Sequence, residues 1–285
     1  MTYNYEKAFS RNIGWVTPEE QALLRTKKVA IAGAGGVGGH HAVNLARLGV
    51  GCFHLADFDS FEIHNMNRQS GCDMTTLGLK KVEVMRDRIL AINPEAQITC
   101  FESGVDSRNL DAFLDGVDAY VDGLDAFVLD VRRLVFQRCY ERGIPANTVA
   151  PVGMGAALMN FLPQGMSFDK YFGFKKSETP LEQLQRFICG LTPSFIHVKS
   201  LVLRSKFSLE TKAAPSTSMG CYLATGVAAT ETMKMLLNRG PLVAAPRGFH
   251  FDSYSYRYRK TWMPGGAWNP FFSLKIKLFR FLTRS

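Results

Sequence analysis

The sequence predicts an α/β chain with a doubly wound, mainly parallel sheet and a long crossover insertion. Strand and helix signals alternate over the first half, and the first strand runs into a glycine-rich turn that opens a helix. Helices placed between successive strands force a parallel sheet covered on both faces. The composition agrees: 285 residues, 46% hydrophobic and 21% charged, are enough for a buried core and exclude wholesale disorder.

The elements follow in order. KKVAIAGAG is a short apolar run ending in glycine, as a buried parallel strand should be. GHHAVNLARLGV continues at helical period and stops at Gly49. CFHLADFD is a second strand, and LKKVEVMRDRILAINP is an amphipathic helix ended by Asn93-Pro94. QITCFES and DAYVDGLD are further strands. VRRLVFQRCYERG is a helix closing at Gly143, ahead of the strand-like IPANTVAP. From Pro151 to Pro215 the pattern loosens: PVGMGAALMNFLPQG is apolar and glycine-rich, SFDKYFGFKKSETP is polar and turn-like, and LEQLQRFICGL is helical. GCYLATGVAATETMKMLLNRG is a strong helix with Gly240 as its C-terminal stop, and FHFDSYSYRYRKTW alternates as late strands do.

Several classes are excluded. No apolar run reaches the ~18 residues of a membrane-spanning helix, and the first residues lack the apolar core of a signal peptide. The six cysteines are scattered without a C-x-x-C pair, which argues against a zinc cage or a disulfide framework and for a reduced, cytoplasmic protein. The net charge of +9 is uneven. No acid follows Asp252, whereas Arg257, Arg259, Lys260, Lys275, Lys277, Arg280 and Arg284 do. A basic tail points to an acidic partner or an anionic surface rather than to a nucleic-acid-binding core.

Gly33-Ala34-Gly35-Gly36-Val37-Gly38 fits G-x-G-x-x-G at a strand-to-helix turn. Without Cβ atoms the backbone bends tightly and turns the N–H groups of the helix start toward a phosphate. Asp57 follows about 20 residues on, at the end of the next strand, where an acid takes ribose hydroxyls. A dehydrogenase would then lead into a neutral nicotinamide pocket. Here Asp57-Phe58-Asp59 leads instead to Asn65-Met66-Asn67-Arg68-Gln69 and to Leu77-Gly78-Leu79-Lys80-Lys81. Arg68 and Lys81 beside polar amides suit a triphosphate, whose charge must be neutralised while its α-phosphate is attacked.

Over GAGGVGG…DFDSFEIHNMNRQ…GLKKVEVMRDRILAINP the chain resembles the adenylation domain of ubiquitin-activating enzymes. It is similar to the bacterial ThiF/MoeB/HesA-type activators of sulfur carriers. The likeness begins at FSRNIGWVTPEEQALLRTKKV and returns in PSTSMGCYLATGVAATETMKMLL. It implies a Rossmann-like single adenylation domain: N-terminal helices over 1–28, a nucleotide-binding core over 29–150, the crossover and substrate insertion over 151–215, a late helix and strands over 216–268, and a basic amphipathic tail over 269–285. It implies that Gly33, Gly35, Gly36 and Gly38 lie under ATP and Asp57 takes the ribose. Asn65, Arg68 and Lys81 would contact the phosphates, with Asp59 and Gln69 supporting them. Asp125 would hold Mg²⁺ arriving with ATP or steer the acyl group, and Arg11 would reach into a homodimer partner's site. Ala126 stands where the family often has Asn, and the paired zinc cysteines of many relatives are missing.

The implied reaction is attack of a carboxylate, the C-terminal glycine of a small ubiquitin-like or sulfur-carrier protein, on the α-phosphate. An acyl-adenylate forms and pyrophosphate leaves. Three other readings stay open: a carboxylate on a modified tRNA or peptide, an NAD-binding oxidoreductase, and a non-catalytic scaffold partner. MGAALMNFLPQG is either a channel for the carrier's tail or plain core. His40 and His41 either contact phosphate or divide between solvent and core. On a helical wheel Cys189 falls with Glu182 and Gln185, outside the arc of Leu181, Leu184, Phe187, Ile188 and Leu191. It is therefore expected to be exposed, a candidate for a thioester. Cys221, read as preceding the late helix, is a second candidate. The tail FFSLKIKLFRFLTRS, read as a helix, sets Phe272, Leu278, Phe279 and Leu282 against Lys277, Arg280, Arg284 and Ser273. That pattern fits an anionic membrane interface, an acidic carrier, or closure on the chain's own core.

Overall fold

The computed structural model describes residues 2–282, with side chains described through Arg280. The chain divides into two compact units, Met1–Asp125 with Thr225–Leu242, and Ala126–Ala224 with Val243–Ser285.

The first unit runs α1 (Tyr5–Ala8), α2 (Pro18–Thr26), β1 (Lys28–Ala32), α3 (Gly38–Leu48), β2 (Cys52–Ala56), α4 (Lys81–Ile92), β3 (Gln97–Phe101), α5 (Leu110–Phe113) and β4 (Ala119–Asp122). Its strands lie in the order β3-β2-β1-β4 and every pair is parallel. Val29, Ala30, Ile31 and Ala32 of β1 are all buried, because a central parallel strand is covered on both faces. Thr17 and Glu20 close a reciprocal capping box at the start of α2, with Pro18 in its first turn.

The second unit contains α6 (Leu129–Arg142), β5 (Ala146–Val152), β6 (Gly155–Phe161), α7 (Phe168–Phe172), α8 (Pro180–Leu191), α9 (Ser218–Leu237), β7 (Arg247–Asp252), β8 (Arg257–Trp262) and α10 (Pro270–Leu282); α9 from Thr225 onward counts with the first unit. Its strands run β5-β6-β7-β8 and pair antiparallel. The α/β class and the Rossmann-like parallel ladder read from the sequence hold, the ladder β3-β2-β1-β4 lying in the first unit.

Three local expectations are corrected in the second unit. The glycine-rich stretch after Pro151 is not loose: it supplies β6, buried from end to end between β5 and β7. Its strand residues are core and do not line a channel. The stretch 167–180 is not merely a polar turn, because Ser167 caps α7 and Phe168, Tyr171 and Phe172 are buried. Phe168 stacks on Phe136 at 4.5 Å, Phe172 meets Phe187 at 5.2 Å, and the Tyr171 hydroxyl donates to the Gly190 carbonyl at 2.9 Å. Burying these rings against one another outweighs the polar letters between them. Cys221 lies within the first turns of α9 and is fully buried.

The C-terminal helix closes onto its own unit. α10 packs against α8, with Phe272 and Ile276 buried, and Lys275 Nζ donates to the Pro193 carbonyl at 2.8 Å. One buried carboxylate ties the two helices. Glu178 accepts from Arg186 Nε at 2.9 Å and from Arg280 Nη2 at 2.8 Å. Arg280 therefore faces inward and Leu278 outward, which splits the apolar side drawn by the wheel. Arg284 lies outside the described residues, as does the side chain of Leu282.

Burial pushes the Glu178 carboxyl up, but hydrogen bonds from Arg186 and Arg280 outweigh it and hold the group below the usual carboxylate range. Its stabilisation is present above the unfolded value near ~4.3 and is lost as pH falls through the depressed folded value. Glu178→Gln leaves two guanidinium groups against a neutral amide and is expected to cost about 3 kcal/mol. Thermal unfolding at pH 7 and pH 3 checks this: the gap between wild type and variant should shrink at the lower pH, and α10 of the variant should become sensitive to protease.

Candidate functional site

The candidate site is built in the first unit where the chain leaves the C-terminal ends of β1 and β2, and it depends first on three glycines. Gly33 has φ +87°, and a Cβ there would lie 2.2 Å from the Gly123 carbonyl oxygen. A Cβ on Gly38 would lie 1.7 Å from the Gly33 carbonyl oxygen. Backbone thus packs directly on backbone between the turn and the residue after β4. Gly123 is part of this contact and carries no sequence motif of its own. Gly33 N–H donates to Ala56 at 2.7 Å, and Gly123 N–H donates to Ala32 at 2.9 Å.

Asp57 locks the turn to β2. Its carboxylate accepts the Ala34 N–H at 2.7 Å and the Asp59 N–H at 2.8 Å. Burial pushes this carboxyl up, against the pull of those two N–H groups and of nearby Lys81. A carboxylate kept half-buried at a strand tip is placed to accept hydroxyl hydrogen bonds. The start of α3 has no side-chain cap and no acid in its first turn, so its N-terminal N–H groups suit an anion.

Lys81 opens α4. Its side chain is buried and its Nζ pairs with Asp59 at 2.9 Å, while its own N–H donates to the Asp59 carbonyl. Asp59 thus holds the lysine by side chain and backbone. Asn65 is buried and its Oδ1 accepts the Glu62 N–H at 3.1 Å, so at least this atom serves the turn. Arg68 bonds through Nη1 to the His64 carbonyl at 3.1 Å and to Asn67 at 2.9 Å. Gln69 is buried beneath the turn: a Cβ on Gly35 would meet its amide at 3.4 Å, and its Oε1 has no hydrogen-bond partner.

Neither histidine of α3 faces solvent, which corrects the division between solvent and core. His40 Nε2 lies 2.9 Å from the Arg68 carbonyl and His41 Nδ1 lies 2.8 Å from Thr225 Oγ1. Burial holds both below the usual imidazole range, with His41 lowered to about 3. His40 therefore anchors the Arg68 segment to the helix that follows the glycine turn.

Asp125 is exposed after β4, and buried Asp122 accepts the Leu124 N–H at 3.2 Å. Among the described residues, no three His, Cys, Asp or Glu side chains are placed to hold a metal. A single exposed Asp125 fits an ion that keeps its waters and brings phosphate ligands with it. Arg11 is exposed on a one-turn 3-10 helix, Ser10–Asn12. A cavity of about 280 Å³, lined in part by Asn12, Asn44, Arg47 and Thr230, includes none of the predicted site residues.

In the second unit Cys189 is the main correction. It is 0% exposed, and burial pushes its thiol up to about 12. The wheel failed because α10 covers the side of α8 opposite the aromatic cluster, so Gln185 and Cys189 are buried as well. A thiol of that kind is inert. Sequence reasoning also missed a buried polar cluster. Ser194 Oγ lies 2.9 Å from His250 Nδ1, and the rings of His197 and His250 are 5.2 Å apart. Burial lowers both imidazoles to about 4. No motif links residues so distant in sequence.

A parallel ladder with a glycine turn, an acid at the next strand tip and a buried lysine at the next helix defines a Rossmann-like chain built to receive a phosphate-bearing ligand. The chain belongs to the ThiF family, whose pattern it matches over residues 9–265. It is 38% identical over 107 residues to the tRNA threonylcarbamoyladenosine dehydratase of Bacillus subtilis (strain 168), covering 38% of this chain and 42% of that protein. It is 32% identical over 136 residues to the molybdopterin-synthase adenylyltransferase of Salmonella typhimurium, covering 48% and 54%. The matched stretch thus spans roughly half or less of these relatives' own length. A crystal structure of E. coli MccB with ATP superposes with a TM-score of 0.66 at 21% identity, covering 92% of this chain and 74% of that one. At that identity the likeness is one of fold.

Gly38→Ala drives a Cβ into backbone and is expected to lose about 3 kcal/mol or more of stability. Gly35→Ala meets only a side-chain amide and should stay within about 1 kcal/mol of wild type. Denaturant unfolding of the two variants side by side checks the difference; equal losses would contradict the packing described.

Proposed function

We propose that this chain is an ATP-dependent adenylyltransferase that activates a carboxylate as an acyl-adenylate. A carboxylate oxygen attacks the α-phosphorus, the bond to the β-phosphate bridging oxygen breaks, and pyrophosphate leaves with that electron pair. The protein's work is alignment and charge stabilisation. The observation that carries the reading is Lys81, a buried cation held by Asp59 near the half-buried Asp57 carboxylate. ATP fits the uncapped start of α3, with Asp57 on the ribose and Lys81 and Arg68 on the phosphates. Arg68 reaches them by exchanging its contacts to His64 and Asn67. Gln69 offers its unpartnered Oε1 from beneath the turn. Mg²⁺ arrives as part of MgATP, with Asp125 as its protein ligand.

The carboxylate favoured here is the C-terminal glycine of a small ubiquitin-like or sulfur-carrier protein, in keeping with the adenylyltransferase among the relatives. A modified tRNA is the second reading. It is favoured by the name of the Bacillus subtilis relative and by the net charge of +9. The working assembly is a homodimer in which Arg11 serves the neighbouring site.

Pyrophosphate exchange tests each part. Arg68→Ala and Lys81→Ala are each expected to lower it by about a thousandfold with circular dichroism unchanged, and activity near wild type in both would refute the assignment. Mixing Arg11→Ala with Lys81→Ala subunits should restore part of the exchange, whereas no recovery after verified subunit exchange removes the cross-subunit role. Stimulation by bulk tRNA, and none by a carrier ending in glycine, would select the second reading.

A further inference from the structure

α10 carries apolar side chains on two sides, and only one is used in closing the fold. Phe272 and Ile276 pack inward, with Lys275 and Arg280 tied to Pro193 and Glu178. The other side presents Phe271 at 70% exposure, Leu274 at 62% and Leu278 at 53%. Spaced three and four residues apart, these three form one continuous stripe along the helix. Trp268, just ahead of the helix, is 87% exposed, and exposed Lys277 borders the stripe. Three large apolar side chains in a row on a helix already anchored by its other face call for an occupant.

Side chains exposed to this degree can enter a soft medium. Among the helix's described side chains the exposed charge beside the stripe is Lys277, because Lys275 is tied to the Pro193 carbonyl and Arg280 to Glu178 and Glu182. Among the described residues no helix is long and apolar enough to cross a membrane. An amphipathic helix of α10's length, with lysine beside an aromatic and aliphatic stripe, lies in the plane of a bilayer and sinks its apolar side below the headgroups. Anionic headgroups complement exposed Lys277.

We propose that the chain docks peripherally on anionic membrane through the Phe271–Leu274–Leu278 stripe of α10. The helix stays packed on α8 throughout, so docking needs no unfolding.

Vesicle co-sedimentation of the full chain tests this, with phosphatidylcholine alone against an equimolar mixture with phosphatidylglycerol. Wild type should bind the mixture, release as salt rises, and bind pure phosphatidylcholine more weakly. The triple variant Phe271→Ser, Leu274→Ser, Leu278→Ser changes only exposed positions and should partition about a hundredfold less. Its thermal unfolding should match wild type. Lys277→Glu should lower binding about fivefold. Failure of wild type to sediment with the anionic vesicles at low salt would overturn the proposal, as would equal sedimentation of the triple variant. If, without lipid, the triple variant instead lowers the oligomeric state seen by analytical ultracentrifugation, the stripe is an interface between copies and the membrane assignment falls.

Discussion

The first unit rests on a contact that only glycine can make. At Gly33, Gly38 and Gly123 main chain lies against main chain, so the turn after β1 can sit directly on the residue that follows β4. A methyl group at Gly33 or Gly38 would occupy space already filled by a carbonyl. That close approach sets where α3 begins, and with it the direction in which its first N–H groups point. It also brings Ala34 within reach of Asp57, so the turn and the strand tip become one rigid frame. Lys81 and Asp59 then attach α4 to the same frame through both side chain and backbone.

Two ion-pair clusters serve different ends. In Lys81–Asp59 the lysine side chain is buried while about half of the Asp59 side chain stays in solvent, open to a change of partner. In the Glu178 cluster Glu178 and Arg186 are buried and Arg280 is partly exposed, and its charges compensate one another. One pair is therefore poised for exchange of partners, while the other fixes two helices in register.

The first half of the chain was legible because its signals are local. A buried parallel strand and a G-x-G-x-x-G turn each declare themselves within a few residues. Asp57 and Lys81 stood out by position after the glycine turn, whereas a supporting place for Asp59 was implied only by the resemblance. What sequence could not supply was set by distant contacts. Gly123 matters through Gly33 and Gly38, far away in sequence. His40 and His41 are buried because Arg68 and Thr225 meet them. Cys189 looked exposed on a helical wheel, since a wheel assumes one buried face and α8 has two. The same assumption misplaced Leu278 and Arg280 on α10. In the stretch 167–180, Phe168, Tyr171 and Phe172 were masked by intervening charges, although their spacing is helical.

β8 ends its ladder with one edge unpaired, and its residues Arg257, Tyr258, Arg259 and Lys260 are all exposed. An open strand edge invites a second strand, in the extreme case from another copy of the same chain. Successive positive charges make that encounter repulsive, because two such edges would bring guanidinium and ammonium groups face to face. The strand is thereby guarded electrostatically. Growth by strand addition is suppressed most at low ionic strength, so salt, which would loosen charge-driven associations of this basic chain, would also weaken its guard against aggregation.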